Sequence, residues 1–197
     1  TLTGTCVVNQ ANALIIDNTG TFTIPSGSTF TNSASLTAAG ITGLTVNGTF
    51  NQNAAFTANS VTTLTVSGPF YQNTTVNLTG LTTMTIASTF RLSTAYTFND
   101  TMNITINSGG NLTHADNSTA QTYWIDLTVN NLTINSGGTI NVTGLGFDGG
   151  TGNPGADGKG TGHGHGGGNS YGGSGAGYGG NGGNAYYNLA GGSAYGS

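Results

Sequence analysis

A repeat of twenty residues constrains the fold of this chain more than any other feature of its sequence. Residues 41–60 (ITGLTVNGTFNQNAAFTANS), 61–80 (VTTLTVSGPFYQNTTVNLTG) and 81–100 (LTTMTIASTFRLSTAYTFND) align without a gap. A fixed period of this length is typical of solenoids, in which each repeat forms one coil and stacks on its neighbours. The local patterns are therefore interpreted within this period.

Alignment of the repeats places like side chains in the same column. Within a repeat, apolar residues alternate with threonine, which is the pattern of a strand with one buried face. We expect the columns to form ladders of side chains inside the solenoid. The main ladders are Leu44, Leu64, Met84 and Ile104, then Phe50, Phe70 and Phe90; others are Ile41, Val61 and Leu81, then Val46, Val66, Ile86 and Ile106, then Phe56, Val76 and Tyr96.

Short polar turns separate the predicted strands. They read DNTGT at 17–21, PSGST at 25–29, NSGGN at 107–111 and NSGGT at 135–139. Gly, Asn, Ser and Pro allow the positive φ angles or the local side-chain hydrogen bonds that tight corners require. Asn53 and Asn73 lie one repeat apart at another corner, which predicts a ladder of hydrogen-bonded amides.

Twenty residues with about three strands and three corners make one coil of a parallel β-helix. The predicted fold is therefore all-β, a parallel β-helix or β-solenoid of about twenty residues per coil over residues 1–143, with roughly seven coils stacked about 4.8 Å apart. A sandwich of antiparallel hairpins is the alternative, but an unbroken register fits it less well.

The composition changes at Gly144, and 24 of the 36 glycines lie in residues 144–197. This glycine-rich region is predicted to be a second domain. It is either a disordered linker or a set of closely packed extended or polyproline II-like strands. Order is the interpretation we favour, because linkers rarely carry aromatic residues and this region has Tyr171, Tyr178, Tyr186, Tyr187 and Tyr195.

The repeat, together with the motif LTINSGGTINV at 132–142, is similar to a known family. Over residues 10–143 the chain resembles right-handed parallel β-helix proteins of microbial surfaces, including secreted adhesins and filamentous surface proteins. The resemblance implies an extracellular or cell-surface location. The glycine-rich region looks like segments that interrupt large microbial surface proteins and like the tips of some phage adhesins.

Charged residues are scarce. Arg91 and Lys159 are the only basic residues, and six aspartates bring the net charge to -4. A nucleic-acid partner is not expected, because it requires a basic surface. Hydrophobic residues occur in short alternating stretches, so neither a membrane span nor a signal peptide is visible. Cys6 is the only cysteine; it cannot form a disulfide within the chain, and we expect it to be buried.

Asn-x-Ser/Thr triplets make N-linked glycans candidate partners of the chain. A glycosylated, secreted surface fits a protein with so few charges, because glycans keep a neutral protein soluble. The nine possible acceptors are Asn47, Asn73, Asn77, Asn99, Asn103, Asn111, Asn117, Asn131 and Asn141.

Carboxylates are too few and too scattered to predict an enzyme. Polysaccharide lyases and hydrolases, which use this solenoid class, need clustered carboxylates or a carboxylate beside a base. The chain has no Glu, His114 and Asp116 are its nearest approach to an acid/base pair, and its aspartates do not recur at the coil spacing. We therefore expect no enzymatic activity and assign no catalytic or cofactor-binding residue. The aspartates are Asp17, Asp100, Asp116, Asp126, Asp148 and Asp157.

Two groups of residues are candidate metal ligands. His163 and His165 project from one side of an extended chain, and Asp157 could complete the set. A solvated or hydrogen-bonded histidine pair is the interpretation we favour, so no metal site is assigned. Calcium is the one cofactor left open, since Asp148, Asn153 and Asp157 offer oxygen ligands, although their spacing matches no known calcium loop.

Self-association is the function that this pattern favours. Solenoid ends expose unpaired strand edges, and neither a charged cap nor a helix blocks them here. We expect a neighbouring subunit, or the rest of a longer chain, to cover them. The expected role is an extracellular structural protein, a subunit of a cell-surface filament, sheath or adhesive fibre that polymerises with itself. A monomeric adhesin stalk that binds a glycan or a surface is one alternative.

Ice binding is a second alternative. The pairs Thr63/Thr65 and Thr83/Thr85 stack one repeat apart, extended by Thr45 and Thr105. Such a threonine array is what β-solenoid antifreeze proteins present. Threonine is also the ordinary residue at a solvent-facing strand position, which is the interpretation we favour.

Overall fold

The computed structural model describes residues 7–17, 19–152, 155–167, 173–177, 181–185 and 190–194. The chain divides into two compact units: residues 1–115 with 123–142, and residues 116–122 with 143–197. Cys6, Asn153 and the five tyrosines of the glycine-rich region lie outside the described residues, so the predictions made for them stay predictions.

The first unit is built from short strands. They are β1 (Val7–Gln10), β2 (Leu14–Ile15), β3 (Gly20–Ile24), β4 (Thr29–Asn32), β5 (Leu36–Thr37), β6 (Ile41–Val46), β7 (Thr49–Gln52), β8 (Phe56–Thr57), β9 (Thr63–Val66), β10 (Phe70–Gln72), β11 (Val76–Asn77), β12 (Thr83–Ile86), β13 (Thr89–Leu92), β14 (Asn103–Ile106), β15 (Asn111–His114), β16 (Asn131–Ile134) and β17 (Thr139–Ile140). None of the described residues belongs to a helix long and apolar enough to cross a membrane.

These strands form three parallel sheets. Sheet 1 has the order β1-β4-β7-β10-β13-β15-β17, sheet 2 the order β3-β6-β9-β12-β14-β16, and sheet 3 the order β2-β5-β8-β11. Over β1 to β12 the chain visits the three sheets in turn. The predicted all-β parallel β-solenoid is therefore confirmed.

The spacing between paired strands gives the length of each turn. Along sheet 1, partner residues lie 22, 20, 20, 20, 22 and 28 positions apart. The structure thus has about five regular turns of about twenty residues, fewer than the roughly seven coils predicted. The last step is longer because it contains residues 116–122, which belong to the second unit.

The predicted ladders form the core. Phe50, Phe70 and Phe90 pair in register, with ring centroids 4.7 and 5.0 Å apart. Phe56 and Val76 pair in sheet 3, whereas Tyr96 lies outside any strand but still packs against the core. The column of Leu44, Leu64, Met84 and Ile104 also pairs in register and is buried.

Three of the four predicted corners are present, and the fourth, at 17–21, contains a residue outside the described part of the chain. Gly27, Gly109 and Gly137 have φ angles of 76, 80 and 82°, the left-handed conformation that glycine adopts without strain. The amide ladder also forms, because Asn73 Nδ2 donates a hydrogen bond of 2.7 Å to Asn53 Oδ1. Turn residues and their spacing were therefore sufficient to place the corners.

One buried polar column was not identified from the sequence. Asn32, Gln52 and Gln72 pair in register on the inner face of sheet 1 and are fully buried. Gln52 Nε2 donates to the carbonyl oxygens of Ala54 and Thr75, at 2.6 and 3.1 Å. The column thus binds carbonyl groups at the corner that leads to sheet 3. Each of the three lies two positions after a core phenylalanine, which is the signal that could have revealed it.

The second unit is held by backbone contacts between glycines. It contains a small antiparallel pair, β18 (Thr151–Gly152) and β19 (Gly155–Ala156). Further along, Gly175 N donates to Gly183 O and Gly182 N donates to Gly192 O, at 2.9 and 2.8 Å. A Cβ atom on Gly182 would lie 2.1 Å from Gly175 O, so only glycine fits there.

Candidate functional site

Sheet 2 presents a continuous threonine array. One outward column contains a threonine in each of its six strands, all paired in register: Thr23, Thr45, Thr65, Thr85, Thr105 and Thr133. The column two residues earlier is mixed, with Thr21, Gly43, Thr63, Thr83, Asn103 and Asn131. Hydroxyl groups therefore repeat about every 4.8 Å across the strands. The stacked Thr-x-Thr pairs are confirmed as a geometric feature.

Exposed apolar side chains concentrate in the first and last coils of the first unit. Among the described residues, the large hydrophobic side chains that are exposed are Ile15, Trp124, Leu132, Ile134, Val142 and Phe147, and all but Phe147 lie in those coils. Ile15 is 71% and Ile134 47% exposed. In the last coil these side chains include Leu132 and Ile134, whose equivalents in the coil before are buried, whereas Ile15 of the first coil lies on an outward face and pairs with Thr37.

The exposure in the last coil has a structural cause. Leu132 and Ile134 pair with the buried Ile104 and Ile106, so they continue two core ladders by one step. Among the described residues, no strand pairs with the outer edges of β16 and β17. The ladders therefore end on side chains that no further coil covers, beside backbone groups that can accept another strand.

The predicted glycan acceptors differ in accessibility. The side chains of Asn47, Asn77, Asn131 and Asn141 are exposed, whereas the other five are half-buried. Asn131 also donates through Nδ2 to Asn103 Oδ1, at 3.1 Å. Asn47, Asn77 and Asn141 are therefore the more accessible acceptors, and their glycosylation stays a prediction. The half-buried ones are Asn73, Asn99, Asn103, Asn111 and Asn117.

The side chains considered for catalysis contact nearby polar groups. The ring Nδ1 of His114, a buried residue, lies 2.7 Å from Ala115 O. Asp116 Oδ1 accepts a hydrogen bond of 3.3 Å from Ser118 N, and Asp148 Oδ2 one of 2.5 Å from Ser118 Oγ. The lack of enzymatic activity stays a prediction, as does the calcium site that would include Asp148.

Two histidines line a cleft of about 580 Å³ in the second unit. The rings of His163 and His165 lie edge to face, with centroids 5.6 Å apart. His165 Nδ1 is 3.0 Å from Asp157 Oδ2, and His163 Nδ1 is 2.8 Å from Gly160 O. The predicted histidine pair is thus hydrogen-bonded, and Asp157 lies beside it.

Two hydrogen bonds favour the charged form of the Asp157 carboxyl group. Gly166 N donates a hydrogen bond of 2.9 Å to its Oδ1. This bond first, and then the hydrogen bond with His165, lowers the pKa of the Asp157 carboxyl group below its ordinary value, because both favour the charged form. Asp157 and both histidines each offer one ligand atom, and these atoms lie within 4.8 Å of one another. The described residues contain no other such group of three.

No protein-family model, curated protein or solved structure matches this chain. The resemblance to microbial surface β-helix proteins therefore stays a prediction that rests on the repeat and the motif LTINSGGTINV.

Proposed function

We propose that this protein is an extracellular structural subunit that assembles end to end with copies of itself into a filament, sheath or adhesive fibre. The observation that carries the proposal is the exposed apolar surface at the end of the solenoid, formed by Leu132, Ile134 and Val142 of the last coil, together with Ile15 on the outward face of the first coil. Burial stabilises by about 25 cal/mol per Å² of apolar area, so these surfaces favour a partner. A β-solenoid is consistent with a structural or adhesin-like role.

The partner that fits these surfaces is a second copy of the chain. The last coil of one copy ends ladders that the first coil of another can continue, with the same alternating pattern and with outer strand edges that no strand of the described residues pairs with. Electrostatic repulsion between the first and last coils is weak, since Asp17 and Asp126 are the only charged residues in 7–24 and 123–142. Glycans on Asn47 and Asn77, which lie in other coils, fit the same extracellular role.

A substitution in the last coil tests the proposal. Ile134→Lys places a charge on the exposed ladder end and should abolish assembly while leaving the folded subunit intact. Thr83→Lys is the matched control, because Thr83 is an exposed residue in the middle of sheet 2. Electron microscopy and sedimentation velocity of the native protein and both variants give the readout. Monodisperse short particles of the native protein would exclude the filament and favour a monomeric adhesin stalk.

Ice binding is a second candidate, supported by the threonine column of sheet 2. Six threonines in register form a regular array of hydroxyl and methyl groups, which a solvent-facing strand does not require. Thr85→Lys interrupts the array in its centre, whereas Thr57→Lys changes sheet 3 and is the control. Ice binding would be supported if the native protein and Thr57→Lys show thermal hysteresis and Thr85→Lys does not. Ice binding would be excluded if the native protein shows no thermal hysteresis.

A further inference from the structure

The second unit holds two imidazoles and one carboxylate around a closed loop. Gly158 N donates to Gly164 O at 3.0 Å, which closes the loop that carries His163. His165 N donates to Ser174 Oγ at 2.7 Å, and Gly166 N donates to Asp157 Oδ1 at 2.9 Å. Backbone and side-chain hydrogen bonds therefore fix the positions from which all three side chains project.

Both rings are oriented through Nδ1, as metal-binding histidines are. A histidine ligand usually donates its second ring N–H to a carboxylate, a backbone carbonyl or water. His163 Nδ1 is paired with the carbonyl of Gly160, and His165 Nδ1 with the carboxylate of Asp157. A neutral ring that donates from Nδ1 keeps the lone pair on Nε2, which is free to bind a metal ion.

The distances fit a single ion. Two imidazoles that bind one ion at about 2.0–2.1 Å have ring centroids about 5 to 6 Å apart in a tetrahedral arrangement. The observed centroid separation of His163 and His165 is 5.6 Å. A carboxylate oxygen of Asp157 lies within 4.8 Å of the two other ligand atoms. Rotation of the half-exposed Asp157 side chain completes the set, and water then replaces Asp157 as the acceptor for His165 Nδ1.

We propose that Asp157, His163 and His165 bind one divalent ion of the Zn²⁺ class. Imidazole nitrogens suit Zn²⁺, Cu²⁺ and Ni²⁺, whereas Ca²⁺ takes oxygen ligands, and so the ligand set selects the softer ions. Water completes the coordination, since the His165 and Asp157 side chains are 39% and 47% exposed. The bound ion links residue 157 to residues 163–165 and stabilises the loop between them.

Two charged residues share the cleft with the histidines. Asp148 and Lys159 both line it and carry opposite charges, so their effects on a bound cation oppose each other. Lys159 is exposed and its side chain is not a metal ligand at neutral pH. Lys159→Ala is therefore a matched control variant, which removes a charge from the same cleft and leaves the three ligands in place.

Calorimetric titration of the untagged full chain with Zn²⁺ tests the site. The native protein and Lys159→Ala should each bind one ion per chain. His163→Ala and His165→Ala should lose measurable binding at that stoichiometry, and Asp157→Asn, which removes the anionic ligand, should weaken it. Circular dichroism of each variant without metal establishes that its fold is retained.

Titration with Co²⁺ provides a measurement that does not depend on the alanine variants. Nitrogen and oxygen ligands in a four-coordinate site give Co²⁺ visible absorption bands, which Zn²⁺ should displace one for one. The proposal is overturned if the native protein shows no saturable binding, or if Zn²⁺ binds equally to the His163→Ala/His165→Ala double variant.

Discussion

At the residue scale, stability comes from side chains stacked on their equivalents in the neighbouring coils. Phe70 is fully buried between Phe50 and Phe90, and each of these rings lies at most 5.0 Å from that of Phe70. Because a buried phenylalanine has partners in the coils on both sides, its removal affects three coils. Outward threonines have no comparable packing.

We expect Phe70→Ala to lower the free energy of unfolding by about 3–5 kcal/mol, because it leaves a cavity inside the aromatic ladder. Thr63→Ala, at an exposed position in the same coil, should change it by no more than about 0.5 kcal/mol. Urea unfolding followed by circular dichroism measures both. Equal destabilisation by the two substitutions would contradict the ladder as the source of stability.

Burial raises the pKa of the Tyr96 hydroxyl group well above its usual range. Its ring packs edge to face against Phe90 and Phe98, with centroids 6.3 and 4.8 Å away. The unfolded chain releases this proton near pH 10, before the folded chain does. The contribution of Tyr96 to stability is therefore complete below about pH 10 and is lost as the pH rises above it.

Tyr96→Phe should remove this alkaline loss while keeping the ring contacts. Unfolding of the native protein and the variant in urea at about pH 8 and about pH 11 gives the comparison. We expect the native protein to lose more stability between these two pH values than the variant does. Identical losses in the two proteins would show that the hydroxyl group ionises freely in the folded state.

At the element scale, the two units use different means of packing. The strands of the solenoid pack through side chains, with each residue facing its equivalent about twenty positions away. The segments of the second unit pack through their backbones, as Gly182 does against Gly175. A Cβ atom added at such a glycine should therefore disturb the second unit, as it would at the solenoid corners where Gly48 and Gly68 lie against the backbone of the preceding coil.

Neighbouring glycines provide a matched test of this packing. Gly182→Ala places a Cβ atom 2.1 Å from Gly175 O, so the backbones must separate, at a cost of about 1–3 kcal/mol. Gly183→Ala meets no atom within 4 Å and should be neutral or slightly stabilising. Amide hydrogen exchange at Gly175 and Gly192 measures the effect. Unchanged protection in Gly182→Ala would show that the backbones do not pack closely.

At the scale of the whole molecule, solenoid coils are stabilised by their neighbours, so position along the repeat sets local stability. Central strands such as β9 and β12 pair on both sides, whereas β16 pairs with a described strand on one side only. The exposed apolar surface of the last coil follows from the same asymmetry. Local opening and self-association should therefore both involve the terminal coils.

We expect amides of β16 to exchange with solvent faster than those of β9 and β12 in dilute protein, because opening of an edge strand breaks fewer contacts. Assembly should slow exchange in β16 and leave the central strands unchanged. Hydrogen exchange with mass spectrometry at low and high protein concentration gives both results. Protection that is uniform along the solenoid, or independent of concentration, would contradict these expectations.

Much of the first unit follows from local patterns. The alternation around Leu64 and Val66 predicts a strand with one buried face, and the twenty-residue period predicts its partner, because in-register parallel stacking places like residues together. The same rule could have revealed that Gln52 and Gln72 are buried, since each lies two residues after an inward-facing phenylalanine. The burial of these two glutamines was not predicted, because hydrophobicity alone does not distinguish a buried, hydrogen-bonded amide from an exposed one.

The sequence by itself determined the coil length, the inward ladders and the corners, since each is a pattern that recurs within one or two repeats. Only the tertiary structure decided which ladders end exposed and how Asp157 meets His163 and His165. The glycine-rich region has no recurring side-chain pattern, and glycine tolerates many backbone conformations. Its path is therefore set by backbone hydrogen bonds and close contacts between segments, which become visible only when the chain is folded.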